Sequence, residues 1–261
     1  METIKNKSVL RNMLSKCVQL LETDSRVEGA YVVGSMADET FDDYSDIDLY
    51  IVAKDDEYDE VYQERFRFAE QIGDVLSTFE VEWPNCQLLG AIYRNYVEVD
   101  FCYTTLEKAE VFSDWYKILL DRTGRVRQTL VKKDFTVDAR KKLKTQTDFA
   151  LYNVLHAINM VKRGEYWSSI KQIETLRRRL VTLMDLSLGK DVAEEYRRLE
   201  SLFPLKVEKK LRKTLCVYSK KEIEKSIVAA TQLFCEVGQD LASKVSENFP
   251  SEKFSHLLKN L

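Results

Sequence analysis

The sequence predicts an α+β protein, with a mixed β-sheet and flanking helices over residues 1–134 and an all-α domain over residues 135–261. Two observations carry this. Short runs rich in Val, Ile, Tyr and Phe recur through the first half, bounded by turn residues. Beyond about residue 135 they give way to long amphipathic stretches rich in Lys, Arg, Glu and Leu. With 261 residues, 44% of them hydrophobic, the chain can build a core in each half.

Taken in order, residues 5–23 place Val9, Leu10, Met13, Leu14, Val18 and Leu21 at helical spacing, and "DSRVEG" ends that helix. "GAYVVGS" reads as a buried strand closing in a Gly-Ser turn. An acidic loop, "DETFDD", reads as solvated and mobile. "DIDLYIVA" is a second strand, and "DEYDEVYQERFRFAEQIGDVL" an exposed helix with one apolar side. Four β-rich runs follow: "FEVEW", "LLGAIYRN", "YVEVDFCYTT" and "WYKILLDRTG". In the helical half Gly164 and Pro204 are the expected breaks. Ile170, Ile173, Leu176, Leu180 and Leu183 form a core stripe there, with Tyr166, Trp167 and His156 read as core residues too.

Composition narrows the function. Forty basic and 43 acidic residues give a net charge of −3, which disfavours nucleic acid as the main partner. Five cysteines without C-x-x-C spacing indicate reduced thiols and a cytoplasmic protein. Charges interrupt every apolar run of the first twenty residues, so neither a signal peptide nor a membrane span is expected. With only His156 and His256 available, any chemistry falls to carboxylates.

The carboxylates are patterned. Strand alternation turns Asp46 and Asp48 to one face while Ile47 and Leu49 take the other. Two like charges side by side are costly unless a cation or good hydration relieves them. Fifty residues on, Val97, Val99 and Phe101 share one face, and Glu98, Asp100 and Cys102 the other. A Gly34-Ser35 turn ahead of these strands offers backbone N–H groups and close approach to a phosphate. Hard oxygen ligands suit Mg²⁺, which commonly bridges carboxylates and substrate phosphates.

A Gly-Ser turn, ten intervening residues, Asp-Ile-Asp in a strand and a later "VDF" together resemble the nucleotidyltransferase superfamily of the polymerase-β-like fold. The size of the chain, its helical second half and the "KILLDRTG" strand resemble bacterial aminoglycoside adenylyltransferases and the larger lincosamide nucleotidyltransferases. The resemblance implies that residues 1–134 form the catalytic domain, with Gly34 and Ser35 holding the triphosphate of ATP or another NTP. It also implies that Asp46, Asp48 and Asp100 ligate two Mg²⁺ ions. AMP or another nucleoside monophosphate would pass in line to a hydroxyl of a small molecule such as an aminoglycoside or lincosamide antibiotic.

The third carboxylate, Asp100, is favoured as general base over Glu98; Glu80 and Glu82 are weaker candidates. Lys171 and Arg178, seven apart on one helix side, are candidates for the triphosphate, because leaving pyrophosphate gathers negative charge. Two other readings stand beside this one: a non-enzymatic nucleotide-binding or interaction module, and a transferase acting on a protein or RNA acceptor. Acceptor, nucleotide and oligomeric state are left open by the residues.

Overall fold

The computed structural model describes residues 5–111, 115–130, 138–189, 196 and 199–261. The chain divides into two compact units, Met1–Asp134 and Phe135–Leu261. In the first, α1 (Lys7–Thr23) leads to β1 (Val27–Val33), a 3₁₀ turn (Gly34–Met36), β2 (Ile47–Ala53), α2 (Tyr58–Gln63) and α3 (Arg65–Ile72). Then come β3 (Val75–Trp83), β4 (Cys86–Tyr93), β5 (Glu98–Thr105), β6 (Tyr116–Asp121) and the short α4 (Arg125–Thr129). The sheet runs β3-β4-β5-β2-β1-β6. It is mixed, because β2 and β5 pair in parallel while the other neighbours are antiparallel.

The two faces of this sheet differ. Leu49, Ile51, Val99 and Phe101 point to one face and are fully buried beneath Leu10 and Cys17 of α1 and Ala69 and Ile72 of α3. Burying each such side chain contributes about 1.5–3 kcal/mol. The side chains between them, Asp48 and Asp100 included, point to the opposite face, where α4 covers Tyr31 and Val52 through Val126 and Leu130. Helix α1 is held in register by Asn6, whose Oδ1 accepts the Val9 N–H at 3.0 Å.

In the first unit local expectations needed correction at three places. The helix read over residues 56–76 is broken at Glu64, whose carboxylate is tied to Arg26 at 3.0 Å, and it stops at Ile72. Val75 and Leu76 belong instead to β3, which pairs along β4. Gly73 permits the change of direction, since a Cβ there would lie 3.0 Å from the ring of Tyr93. The acidic loop is anchored rather than merely solvated: Phe41 is buried in the main core, and Asp43 accepts the Lys7 N–H at 3.0 Å. The last strand is shorter than read, and Trp115 stands outside it, largely exposed.

The second unit contains α5 (Ala139–Lys162), α6 (Tyr166–Ser187), the one-turn α7 (Leu199–Leu202), α8 (Leu205–Arg212), α9 (Lys220–Lys244) and α10 (Ser251–Leu258). Gly164, at φ +76°, turns α5 into α6, and Pro204 caps α8. Its core draws on Leu143, Val154 and Ile158 of α5, Ile173, Leu176 and Leu180 of α6, and Ile227 and Phe234 of α9. Tyr166 packs against this core, but Trp167 does not, being 74% exposed with its ring 4.8 Å from that of Tyr218. His156 is only half-buried and lies against the ring of Tyr152, 4.0 Å between centroids. Both miss the core because they sit on the flanks of their helices, a quarter-turn from the apolar stripe. Among the described residues no helix is long and apolar enough to cross a membrane.

Candidate active site

The turn after β1 forms because Gly34 adopts φ +65°, a conformation that costs other residues about 1–2 kcal/mol. Its N–H donates to the carbonyl of Trp115 at 3.1 Å, and its own carbonyl accepts the Ala37 N–H at 3.0 Å. A Cβ added at Gly34 would stand 3.2 Å from Asp48 Oδ2. The turn therefore lies directly against the Asp48 carboxylate. Glycine keeps this corner open for another group to approach the backbone.

Asp48 and Asp100 are partners in the parallel register of β2 and β5, so their side chains leave the same face of adjacent strands. Asp46 immediately precedes β2, and Glu98 opens β5. Four acidic residues thus gather at one end of two strands. Beneath them along the same face follow Tyr50 and Cys102, with Tyr50 stacked on Tyr31 at 4.7 Å. The alternation of β5 already placed Cys102 beside Asp100; the tyrosine stack came from strand order and carried no signal in the sequence.

The surroundings of Asp100 perturb its carboxyl. Burial, then the charges of Glu98 and Asp46, push its carboxyl from 3.8 to about 6. Its Oδ1 is buried and accepts no hydrogen bond from the described residues. A buried carboxylate oxygen without a donor, crowded by like charges, is stabilised by a cation or by a proton. Among the described residues no three carboxylate, thiol or imidazole groups converge into a ready-made metal cage. The donor set fits Mg²⁺ all the same, since that ion is commonly held by one or two carboxylates together with substrate phosphates.

The raised value has a consequence for stability. The folded protein binds the Asp100 proton more tightly than the unfolded chain, so this contribution is complete below about pH 4 and is lost as the pH rises through about 6. In metal-free protein Asp100→Asn is therefore expected to melt at a higher temperature than wild type near pH 7. The difference should close below about pH 4. Thermal melts in a chelator at both pH values check this, and a variant no more stable at neutral pH would refute the crowding of Asp100.

Other candidates separate on geometry. Glu80 pairs with Leu89 and faces the helices, where its carboxylate accepts from Arg65 at 2.7 Å and from the Tyr62 hydroxyl at 3.1 Å. Glu82, two residues on, takes the same side. Neither shares the face of Asp100. Glu98 does share it and stays in contention as a base. Ser35 follows Gly34 within the turn, and its carbonyl accepts the Phe41 N–H at 3.2 Å. Lys171 and Arg178 belong to the second unit, on α6, and both are exposed.

A mixed sheet with a Gly-Ser turn set against paired strand carboxylates defines an enzyme of the nucleotidyltransferase class. A family model described as streptomycin adenylyltransferase matches residues 8–261, and the chain belongs to that family. No curated protein matches the chain. Among solved structures, an aminoglycoside 6-adenyltransferase from Bacillus subtilis is 13% identical, over 96% of this chain and 95% of that one, with a TM-score of 0.46. A CCA-adding enzyme in an apo form is 11% identical over 98% of this chain and 80% of that one, TM-score 0.31. A chain of a GLD-2/RNP-8 complex is 10% identical over 97% and 91%, TM-score 0.29. Structural likeness this distant says nothing about substrate.

Proposed function

We propose that the protein transfers AMP from ATP to a hydroxyl of an aminoglycoside of the streptomycin kind, with the first unit as its catalytic domain. The observation that carries this reading is the pairing of Asp48 with a half-buried, charge-crowded Asp100 beside the open Gly34 turn. Membership of an adenylyltransferase family supports ATP as donor and an aminoglycoside as acceptor.

In this mechanism the Gly34 turn and Ser35 receive the triphosphate. Asp46, Asp48 and Asp100 would hold the divalent cations, two in the full reading, and bound there the cations would supply charge neutralisation to the phosphates. The acceptor oxygen bonds to the α-phosphorus as the bond to the β-phosphate bridging oxygen breaks and pyrophosphate leaves. The hydroxyl proton passes to a carboxylate oxygen of Asp100, or alternatively of Glu98. An aminoglycoside is a polycation, so Asp46, Glu98 and the acidic residues of the 38–43 loop favour its approach over that of an anionic polymer.

The test is incubation of the protein with each of the four NTPs, Mg²⁺ and streptomycin, followed by mass spectrometry of the antibiotic and assay of pyrophosphate. An adenylylated antibiotic formed from ATP, and lost with chelator, is the expected result. Labelled protein or RNA in a lysate without any small-molecule product would overturn the assignment of the acceptor. Absence of pyrophosphate with every NTP would overturn the transfer itself.

A further inference from the structure

The face of the sheet that carries Asp100 continues past it toward the β3 edge. Register places Phe79 of β3 opposite Gly90 of β4, Gly90 opposite Asp100 of β5, and Asp100 opposite Asp48 of β2. Residues paired in this way send their side chains to the same face. Gly90 has none, and the ring of Phe79 fills its place. A Cβ added at Gly90 would collide with Cζ, Cε1 and Cε2 of that ring, the farthest of them at 2.6 Å. An atom that meets all three carbons at once lies over the face of the ring, not beyond its rim. The ring therefore lies flat over β4, with its tip directed toward β5.

A glycine inside a strand has no side chain to pack, and it often marks a place where another group comes close to the backbone. Here its neighbours Leu88, Leu89 and Ala91 are all buried. A larger residue at position 90 would stand between the ring and Asp100; glycine leaves that way clear. Adjacent strands lie about 4.8 Å apart, so the ring reaches to within about one strand of the carboxylate. Phe79 is nevertheless 41% exposed. One face of the ring rests on backbone, and the other is open.

The order across this face is Phe79, Gly90, Asp100 and Asp48, with β1 and its Gly34 turn beyond. In-line transfer brings the acceptor hydroxyl from the side opposite the leaving pyrophosphate. With the triphosphate at the Gly34 turn, the acceptor's side is that of β4 and β3. We propose that the open face of Phe79 is the platform on which a saturated, cationic ring of the acceptor lies, fixing its hydroxyl toward Asp100, an inference that rests on the adenylyl transfer proposed above. The face of an aromatic ring is its negative side, so it attracts both the C–H groups of a saturated ring laid on it and the positive charges that ring carries. Glu98 shares the same sheet face two residues before Asp100 and adds a full negative charge. An anionic acceptor gains nothing from either neighbour and is repelled by the second.

Steady-state kinetics and calorimetric titration of the full chain test this, with streptomycin as the probe in both. Phe79→Leu still covers Gly90 but has no π face. It is expected to lower kcat/KM for streptomycin about tenfold, chiefly through KM, while the KM for ATP changes less than about twofold. Phe79→Tyr keeps the face and should keep the wild-type KM. Trp83→Leu, four residues along the same strand, pairs with Cys86 away from Asp100 and should change neither value. Titration with streptomycin in the absence of ATP should rank the variants in the same order. Phe79→Met takes the place of Phe79→Leu where circular dichroism shows that the latter does not fold. A wild-type streptomycin KM in Phe79→Leu, an ATP KM that rises with it, or an equal loss in Trp83→Leu would overturn the platform. AMP transfer to streptomycin that ignores Phe79 removes the platform alone. Streptomycin binding that depends on Phe79 without AMP transfer removes the proposed reaction alone, and wild-type protein that neither binds nor modifies streptomycin removes both.

Discussion

Asp48→Asn is expected to slow AMP transfer by about a thousandfold or more while leaving the protein folded. The substitution keeps the shape of the side chain against the Gly34 turn, where the carboxylate oxygen stands 3.2 Å from the position of an added Cβ. It removes one negative charge from an end of the sheet that already carries Asp46, Glu98 and Asp100. Like charges oppose one another there, so the loss of one relieves repulsion. Transfer, by contrast, needs that charge to hold cations against phosphate. Steady-state formation of adenylylated product together with a circular dichroism melt separates the two effects. A rate within tenfold of wild type would mean that the carboxylate pair is not the reacting centre.

The second large effect concerns the helical unit. Phe234 on α9 is fully buried, with ring centroids 5.6 Å from Phe254 and 6.2 Å from Phe249. Phe234→Ala removes most of that ring's contacts, and the surrounding helices can close the space only in part. A loss of about 3–5 kcal/mol is expected. Urea denaturation followed by helical circular dichroism measures it as a lower midpoint. The first unit has a separate core, so β-sheet signals should unfold with a much smaller shift. A shift below about 1 kcal/mol would show that this aromatic cluster tolerates collapse.

Much of the site was legible because strand alternation is a local rule. Asp46, Asp48, Glu98 and Asp100 were assigned to faces from period-two spacing, and the fully buried Val97, Val99 and Phe101 occupy the other side of β5. The rejection of Glu80 and Glu82 required more. Their side depends on how β3 registers against β4, and on Arg65 and Tyr62 reaching the Glu80 carboxylate. The helix boundary at Ile72 was lost for a related reason. Val75 and Leu76 continue a helical apolar pattern in sequence, yet pairing with β4 decides their state.

What the sequence determined by itself was the division into a β-rich and a helical half, the faces of each strand, and the spacing of turn and carboxylates, since all of these are set by neighbours a few residues apart. Tertiary structure alone decided that Asp48 meets Asp100, and that this oxygen is buried enough to hold its proton to about pH 6. It also decided the surroundings of neighbouring arginines: Arg177 finds Thr214 and Glu174, whereas among the described residues Arg179 finds Gln146, Asn153 and a ring from α5. Burial and electrostatic partnership are properties of segments distant in the chain brought side by side, and no local pattern records them.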